Sequence, residues 1–164
     1  MMDDLLEANR AYASGFSLAG IAPRADKGFA LVTCMDSRIE PLAMLGLSPG
    51  DAKILRNAGG RVTTDVLRSL ILAASFLGVH RIAVMQHTGC ALAHRSDAEV
   101  RSELPPGLRE GAGTWEFLAM PEPDDALRHD VGLVRGCPLL PGDVRVEGWR
   151  YHVETGVVER VVRS

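Results

Sequence analysis

Short apolar runs of strand formers alternate along this chain with segments of helical periodicity, and that alternation constrains the fold more than any other feature. Phe29-Ala30-Leu31-Val32-Thr33 and Arg81-Ile82-Ala83-Val84-Met85-Gln86 are short, bounded runs, and the first lacks the polar alternation of a half-exposed strand. Ala52-Lys53-Ile54-Leu55-Arg56 is a further strand candidate. Between it and the run at 81–86, Leu67, Leu70, Ile71, Ala74 and Leu77 recur at helical spacing, with Thr63 or Thr64 to cap the start and Gly78 to stop the end. Helices that return the chain between buried strands produce parallel neighbours. The expected architecture is therefore α/β, a mainly parallel (mixed) central sheet flanked by helices and covered on both faces.

The flanking segments fit one domain over 1–164, because no repeat or linker divides them. Leu5, Ala8, Tyr12 and Phe16 share a stripe of a predicted helix over 3–17. Pro41 opens a brief helix that Gly46 closes, and Asn57-Ala58-Gly59-Gly60 has turn character. A short helix is expected over 97–103, then a loop through Gly111 and Gly113, then a helix capped by Asp124 or Asp125 and running to about Arg135. Two strand-like runs around Glu154-Thr155-Gly156 predict a C-terminal β-hairpin.

Charge and composition narrow the partners. A net charge of −3, no Lys/Arg block and 5% aromatic residues argue against a nucleic-acid surface. The N-terminus lacks a basic start followed by a long apolar run, and no apolar stretch approaches a membrane span. These features predict a cytoplasmic protein with no membrane partner. Three widely spaced cysteines in such a compartment suggest metal binding or catalysis rather than a disulfide frame.

Two segments carry the chemistry. Cys34-Met35-Asp36-Ser37-Arg38 follows the strand run at 29–33, and His87-Thr88-Gly89-Cys90 follows the run at 81–86. Ligands of open α/β sheets bind beyond the carboxyl ends of strands, so neighbouring strands would bring both segments to one crevice. Cys34, His87 and Cys90 then offer two thiolates and an imidazole, a set that suits Zn2+ and leaves a fourth position open. Asp36 and Arg38, two apart in an extended segment, would point the same way, with Arg38 gripping the carboxylate through two parallel hydrogen bonds. An ionised Asp36 only accepts hydrogen bonds, so it can orient a zinc-bound hydroxide. Alternatively it could swing onto the zinc as a fourth ligand in a closed state.

Cys-x-Asp-x-Arg followed by His-x-x-Cys, with Arg56-Asn57-Ala58-Gly59-Gly60 between them, resembles the β-carbonic anhydrase family over about residues 29–90. The resemblance implies zinc ligands Cys34, His87 and Cys90, a catalytic dyad of Asp36 and Arg38, and a substrate pocket lined by Ala58, Gly59 and Gly60. It implies reversible hydration of carbon dioxide to bicarbonate. It also implies a homodimer or larger oligomer in which the N-terminal helix embraces the partner. Many relatives carry glycine directly after the second zinc cysteine, where this chain has Ala91; a positive φ there would be costly. Some proteins of this fold hydrolyse carbonyl sulfide or carbon disulfide instead, and a non-catalytic zinc module closed by Cys137 or Asp36 is the reading from another class. Cys137 itself reads as packing before Pro138, and His80, His129 and His152 as surface residues. His94 reads first as an exposed loop histidine and second as a proton shuttle, and Thr88 as a turn cap or a partner of a zinc thiolate.

Overall fold

In a computed structural model of the chain, described over residues 2–164, five strands form one sheet in the order β2-β1-β3-β4-β5. The strands are β1 (Phe29–Cys34), β2 (Ala52–Asn57), β3 (Arg81–His87), β4 (Arg145–Tyr151) and β5 (Val158–Val162). The first four are parallel, and β5 returns antiparallel beside β4 as the C-terminal hairpin. This is the single-domain α/β architecture that the alternation predicts.

Helices α1 (Asp3–Ser14), α2 (Thr64–Phe76), α3 (Asp97–Glu103), α4 (Pro106–Arg109) and α5 (Pro123–Arg135) complete the chain. Thr63 caps α2 by accepting from the Val66 N–H, and Ser96 and Glu99 form a reciprocal capping box on α3. Neither Asp124 nor Asp125 caps α5. Pro123 occupies its first turn instead, where a missing N–H costs nothing and a fixed φ suits the helix. Gly15 ends α1 three residues before the predicted limit, and the expected loop past Pro105 contains the single turn α4.

The core is asymmetric. Val66, Leu70 and Ala73 of α2 and Leu127, Val131 and Val134 of α5 pack on one sheet face against Ala30, Val32, Ile82, Val84 and Val146. Each fully buried Val, Leu or Ile among them contributes about 1.5–3 kcal/mol. The other face carries Phe29, Leu31, Ala83 and Met85, and its cover is Ile39 and the segment with Met44, Leu45 and Leu47. The sheet is therefore not covered by long helices on both faces: α2 and α5 share one side. Helix α1 buries no residue at all, although it presents Leu5, Leu6 and Tyr12.

Candidate metal centre

Register brings the two motifs together. β1 and β3 are direct neighbours, with Thr33 opposite Met85, so Cys34 and His87 emerge at the same sheet end. A turn after His87, with Gly89 at φ 64, folds Cys90 back beside them. The ligand atoms of Cys34, His87 and Cys90 lie within 4.8 Å of one another. Zinc–sulfur bonds of about 2.3 Å in a tetrahedron place two sulfurs about 3.8 Å apart, so the cluster is the right size.

The imidazole is set for ligation. His87 is buried, and its Nδ1 lies 2.8 Å from the Thr88 carbonyl, which fixes the proton there and frees Nε2. Nε2 is one of two buried side-chain polar atoms without a hydrogen-bond partner among the described residues, the other being Thr33 Oγ1. An unpaired buried nitrogen aimed at two sulfurs is what a metal ion would satisfy.

Electrostatics point the same way. The Cys34 thiol is driven well below the ordinary thiol range, chiefly by the Cys90 thiol beside its sulfur. His87 and the backbone N–H groups of Asp36 and Gly59 add to this against the opposing effect of burial. Cys90 is pushed up, first by the neighbouring Cys34 and then by its own burial. At His87 burial opposes the charged ring most strongly, yet the nearby Cys34 sulfur, the Thr88 carbonyl and the charge of Asp36 leave its pKa raised. A divalent ion held by these three groups would displace their protons.

Asp36 and Arg38 meet by a different route from the one the sequence suggests. The segment is a turn, not an extension: Asp36 Oδ1 accepts the Arg38 N–H at 2.9 Å, and the Asp36 carbonyl accepts the Ile39 N–H at 3.1 Å. The guanidinium then grips the carboxylate in a fork, Nε to Oδ1 at 2.9 Å and Nη2 to Oδ2 at 2.8 Å. Nη2 also donates to the Gly89 carbonyl at 3.1 Å, which ties the fork to the loop between His87 and Cys90. These side-chain and backbone hydrogen bonds from Arg38 hold the Asp36 carboxyl well below the usual carboxylate range. Asp36 Oδ2 stands 3.8 Å from His87 Nε2, too far for a hydrogen bond, and Asp36 lies outside the three-residue cluster.

The Asn57-Ala58-Gly59-Gly60 segment closes the crevice from the β2 side. Asn57 exchanges hydrogen bonds with the Arg61 backbone at 2.8 Å each way, which clamps the turn. Gly59 and Gly60 are buried and Ala58 is exposed. Gly60 has φ 65, and a Cβ there would meet Cys34 N, Met85 O and Thr33 C at 2.9 Å, so only glycine fits between β1 and β3. Ala91 does not adopt a positive φ; Gly89 and His94 do, so the departure at Ala91 strains nothing.

The contacts of Arg56 and Thr88 had no clear signal in the sequence. Arg56 donates to the Cys34 carbonyl at 3.0 Å and to the Asp36 carbonyl at 2.6 Å, which steadies the backbone of the first motif. Thr88 neither caps its turn nor touches a sulfur. Its hydroxyl donates to Glu154 at 2.7 Å and accepts the Val153 N–H at 3.1 Å, which pins the hairpin to the metal loop. Cys137 lies past the end of α5, outside the cluster.

The sequence matches the Carbonic anhydrase family model over residues 29–108. It is 33% identical over 162 residues to Beta-carbonic anhydrase 1 of Mycobacterium tuberculosis, covering 97% of this chain and 96% of that one. It is 36% identical over 148 residues to Carbon disulfide hydrolase of an Acidianus species, covering 76% of this chain and 72% of that one. The solved structure of carbonic anhydrase from Streptococcus mutans superposes with a TM-score of 0.90 at 40% identity, covering 98% of this chain and 96% of that one. A crevice with two sulfurs and one imidazole on this sheet, together with these likenesses along nearly the whole chain, makes the protein an enzyme of the β-carbonic anhydrase family.

Proposed function

We propose that this chain catalyses the reversible hydration of carbon dioxide to bicarbonate and a proton, with zinc held by Cys34 Sγ, His87 Nε2 and Cys90 Sγ. The observation that carries this reading is the Asp36–Arg38 fork standing beside a buried imidazole nitrogen with no partner. A structural zinc site has no use for such a fork. A zinc ion held there supplies Lewis acidity and a water that ionises more readily than in bulk. Two thiolates cancel the ion's charge, so that ionisation is expected above the pH of about 7 typical of sites with three neutral histidines.

The chain's own residues do the positioning. Asp36 stays ionised and can only accept. Its Oδ2 is the carboxylate oxygen nearest the cluster, and it takes the O–H of the attacking oxygen, turning that oxygen's free lone pair toward the carbon. Arg38 holds Asp36 in that orientation. Gly59 and Gly60 supply a pocket wall without side chains, beside Ala58. The protein acts in the cytoplasm, where its three free cysteines stay reduced, and as a homodimer in which the uncovered apolar residues of α1 pack on the partner.

The second reading, hydrolysis of carbon disulfide or carbonyl sulfide at the same centre, is favoured by the 36% identity to Carbon disulfide hydrolase. Stopped-flow hydration on zinc-quantified protein, from neutral to alkaline pH, tests the first. Rapid hydration that rises toward alkaline pH is expected, falling at least about a hundredfold in Asp36→Ala with zinc retained. No hydration at full zinc content, with release of hydrogen sulfide from carbon disulfide, would establish the second reading instead.

A further inference from the structure

We propose that the opposite end of the sheet carries a second binding site, for a small organic anion with a flat apolar body. The site is a groove of about 430 Å³ on the sheet face that α2 and α5 leave open. Its floor is the first row of the sheet: Phe29, Arg81 and Arg145 are register partners on β1, β3 and β4. Partners on parallel strands project to one face about 4.8 Å apart, so two guanidiniums stand side by side with Lys27 on the same rim. Like charges placed directly opposite are destabilising.

Arg81 Nη2 donates to the Lys27 carbonyl, which orients the guanidinium but supplies no countercharge. Among the described residues no carboxylate lies within ion-pair distance of Lys27, Arg81 or Arg145. The acid inside the groove, Glu147, is already engaged: its Oε2 accepts from Arg160 Nε at 2.9 Å and from Trp149 Nε1 at 2.8 Å. A protein of net charge −3 therefore gathers three cations without a carboxylate partner at one small concave place. The surface beside these cations is apolar. Phe29 and Trp149 stack with centroids 5.7 Å apart and planes 26° apart, Arg81 lies 6.0 Å above the Phe29 ring, and Leu45 and Leu47 continue the surface. Guanidiniums that can grip a phosphate or carboxylate through paired N–H donors, beside an aromatic and aliphatic surface, suit a ligand with both an anionic head and a flat body.

The groove is separate from the metal centre. Arg81 begins β3 and His87 ends it, which puts the two sites about 20 Å apart along the strand. Phenylphosphonate carries both required features, and inorganic phosphate only the charge. Calorimetric titration of each into the zinc-loaded protein and into its Arg81→Gln/Arg145→Gln variant tests the proposal. Phenylphosphonate is expected to bind the unaltered protein at least about tenfold tighter than phosphate, and at least about tenfold more weakly in the variant. The variant's zinc content and hydration rate should be unchanged. Absence of binding at millimolar phenylphosphonate, equal affinity for the two probes, or undiminished binding to the variant, as for a ligand held at the metal, would each overturn it.

Discussion

The molecule contains the same pair of residues twice in the same geometry and in opposite surroundings. Arg38 grips Asp36 through Nε and Nη2, and Arg61 grips Asp130 through the same two nitrogens, at 2.6 and 3.1 Å. The first pair is open, with the Arg38 side chain 50% exposed; the second is buried, at 9% and 1%. Arg61 also donates to the carbonyl of Leu118, which sits at φ 55, a left-handed backbone that costs a leucine about 1–2 kcal/mol. The buried pair thus ties the turn after Asn57, the strap at Leu118 and helix α5 into one unit. An exposed pair adds little to stability, so the reason for the first fork must lie in what it does to Asp36. Identical contacts, differing in solvent access and neighbours, divide into a buried strut and, on the function proposed above, a device that positions Asp36.

Breaking the strut should produce the largest change. Asp130→Ala leaves a buried guanidinium uncompensated, which costs about 3–5 kcal/mol, or a fall of about 6–20 °C in Tm for a chain of this size. Thermal melts check this, and the hydration rate per folded, zinc-loaded molecule should stay near that of the unaltered protein. Asp36→Ala should show the reverse, with its large loss in rate and a stability change within about 1 kcal/mol. If both variants lost rate and stability alike, the division between the pairs would collapse.

Replacing both members of the strut sharpens the comparison further. Arg61→Leu/Asp130→Met removes both charges together, and apolar replacements of buried pairs are often neutral or stabilising by about 1–4 kcal/mol. The double variant should therefore melt well above Asp130→Ala. A double variant as unstable as the single one would mean that the Leu118 contact, not the ion pair, carries the stability.

Much of this contrast was legible in the sequence for one pair and illegible for the other. Cys34, His87 and Cys90 follow strand-like runs, and a parallel sheet can bring such segments together at only one end, so the metal cluster could be read before the fold. Asp36 and Arg38 were legible by proximity, although the reasoning from an extended segment was wrong: a turn closed by the Asp36 side chain brings them together. Arg61 and Asp130 are 69 residues apart and belong to no motif, so nothing local announces their contact. Thr88 and Glu154 failed to show for the same reason, at a separation of 66. The one-sided placement of α2 and α5 was also hidden, because helical periodicity reports which face of a helix is apolar but not which side of the sheet receives it.

The pH response separates the fork from the metal centre. The Asp36 carboxyl is held below its unfolded value, so the fork is intact above the ordinary carboxylate pKa of about 4 and is lost only as pH falls through the depressed folded value. Asp36 should therefore add no inflection to the rate profile between about pH 5 and 9. An inflection expected in that range belongs to the proposed metal centre, and Arg38→Leu should leave it in place while lowering the plateau. An inflection that moved with Arg38 would assign the titration to the dyad.

Arg38→Lys should have the smallest effect, and it asks what the fork contributes beyond charge. Lysine keeps the positive charge beside Asp36, but its ammonium has no planar pair of donors and cannot hold both carboxylate oxygens and the Gly89 carbonyl as the guanidinium does. If orientation is what matters, the rate should fall by about tenfold with zinc content and inflection unchanged, the range found when a group supporting a metal site is altered. If charge alone holds Asp36 ready, lysine should restore the full rate, and the likeness between the two pairs would then be only a likeness of shape.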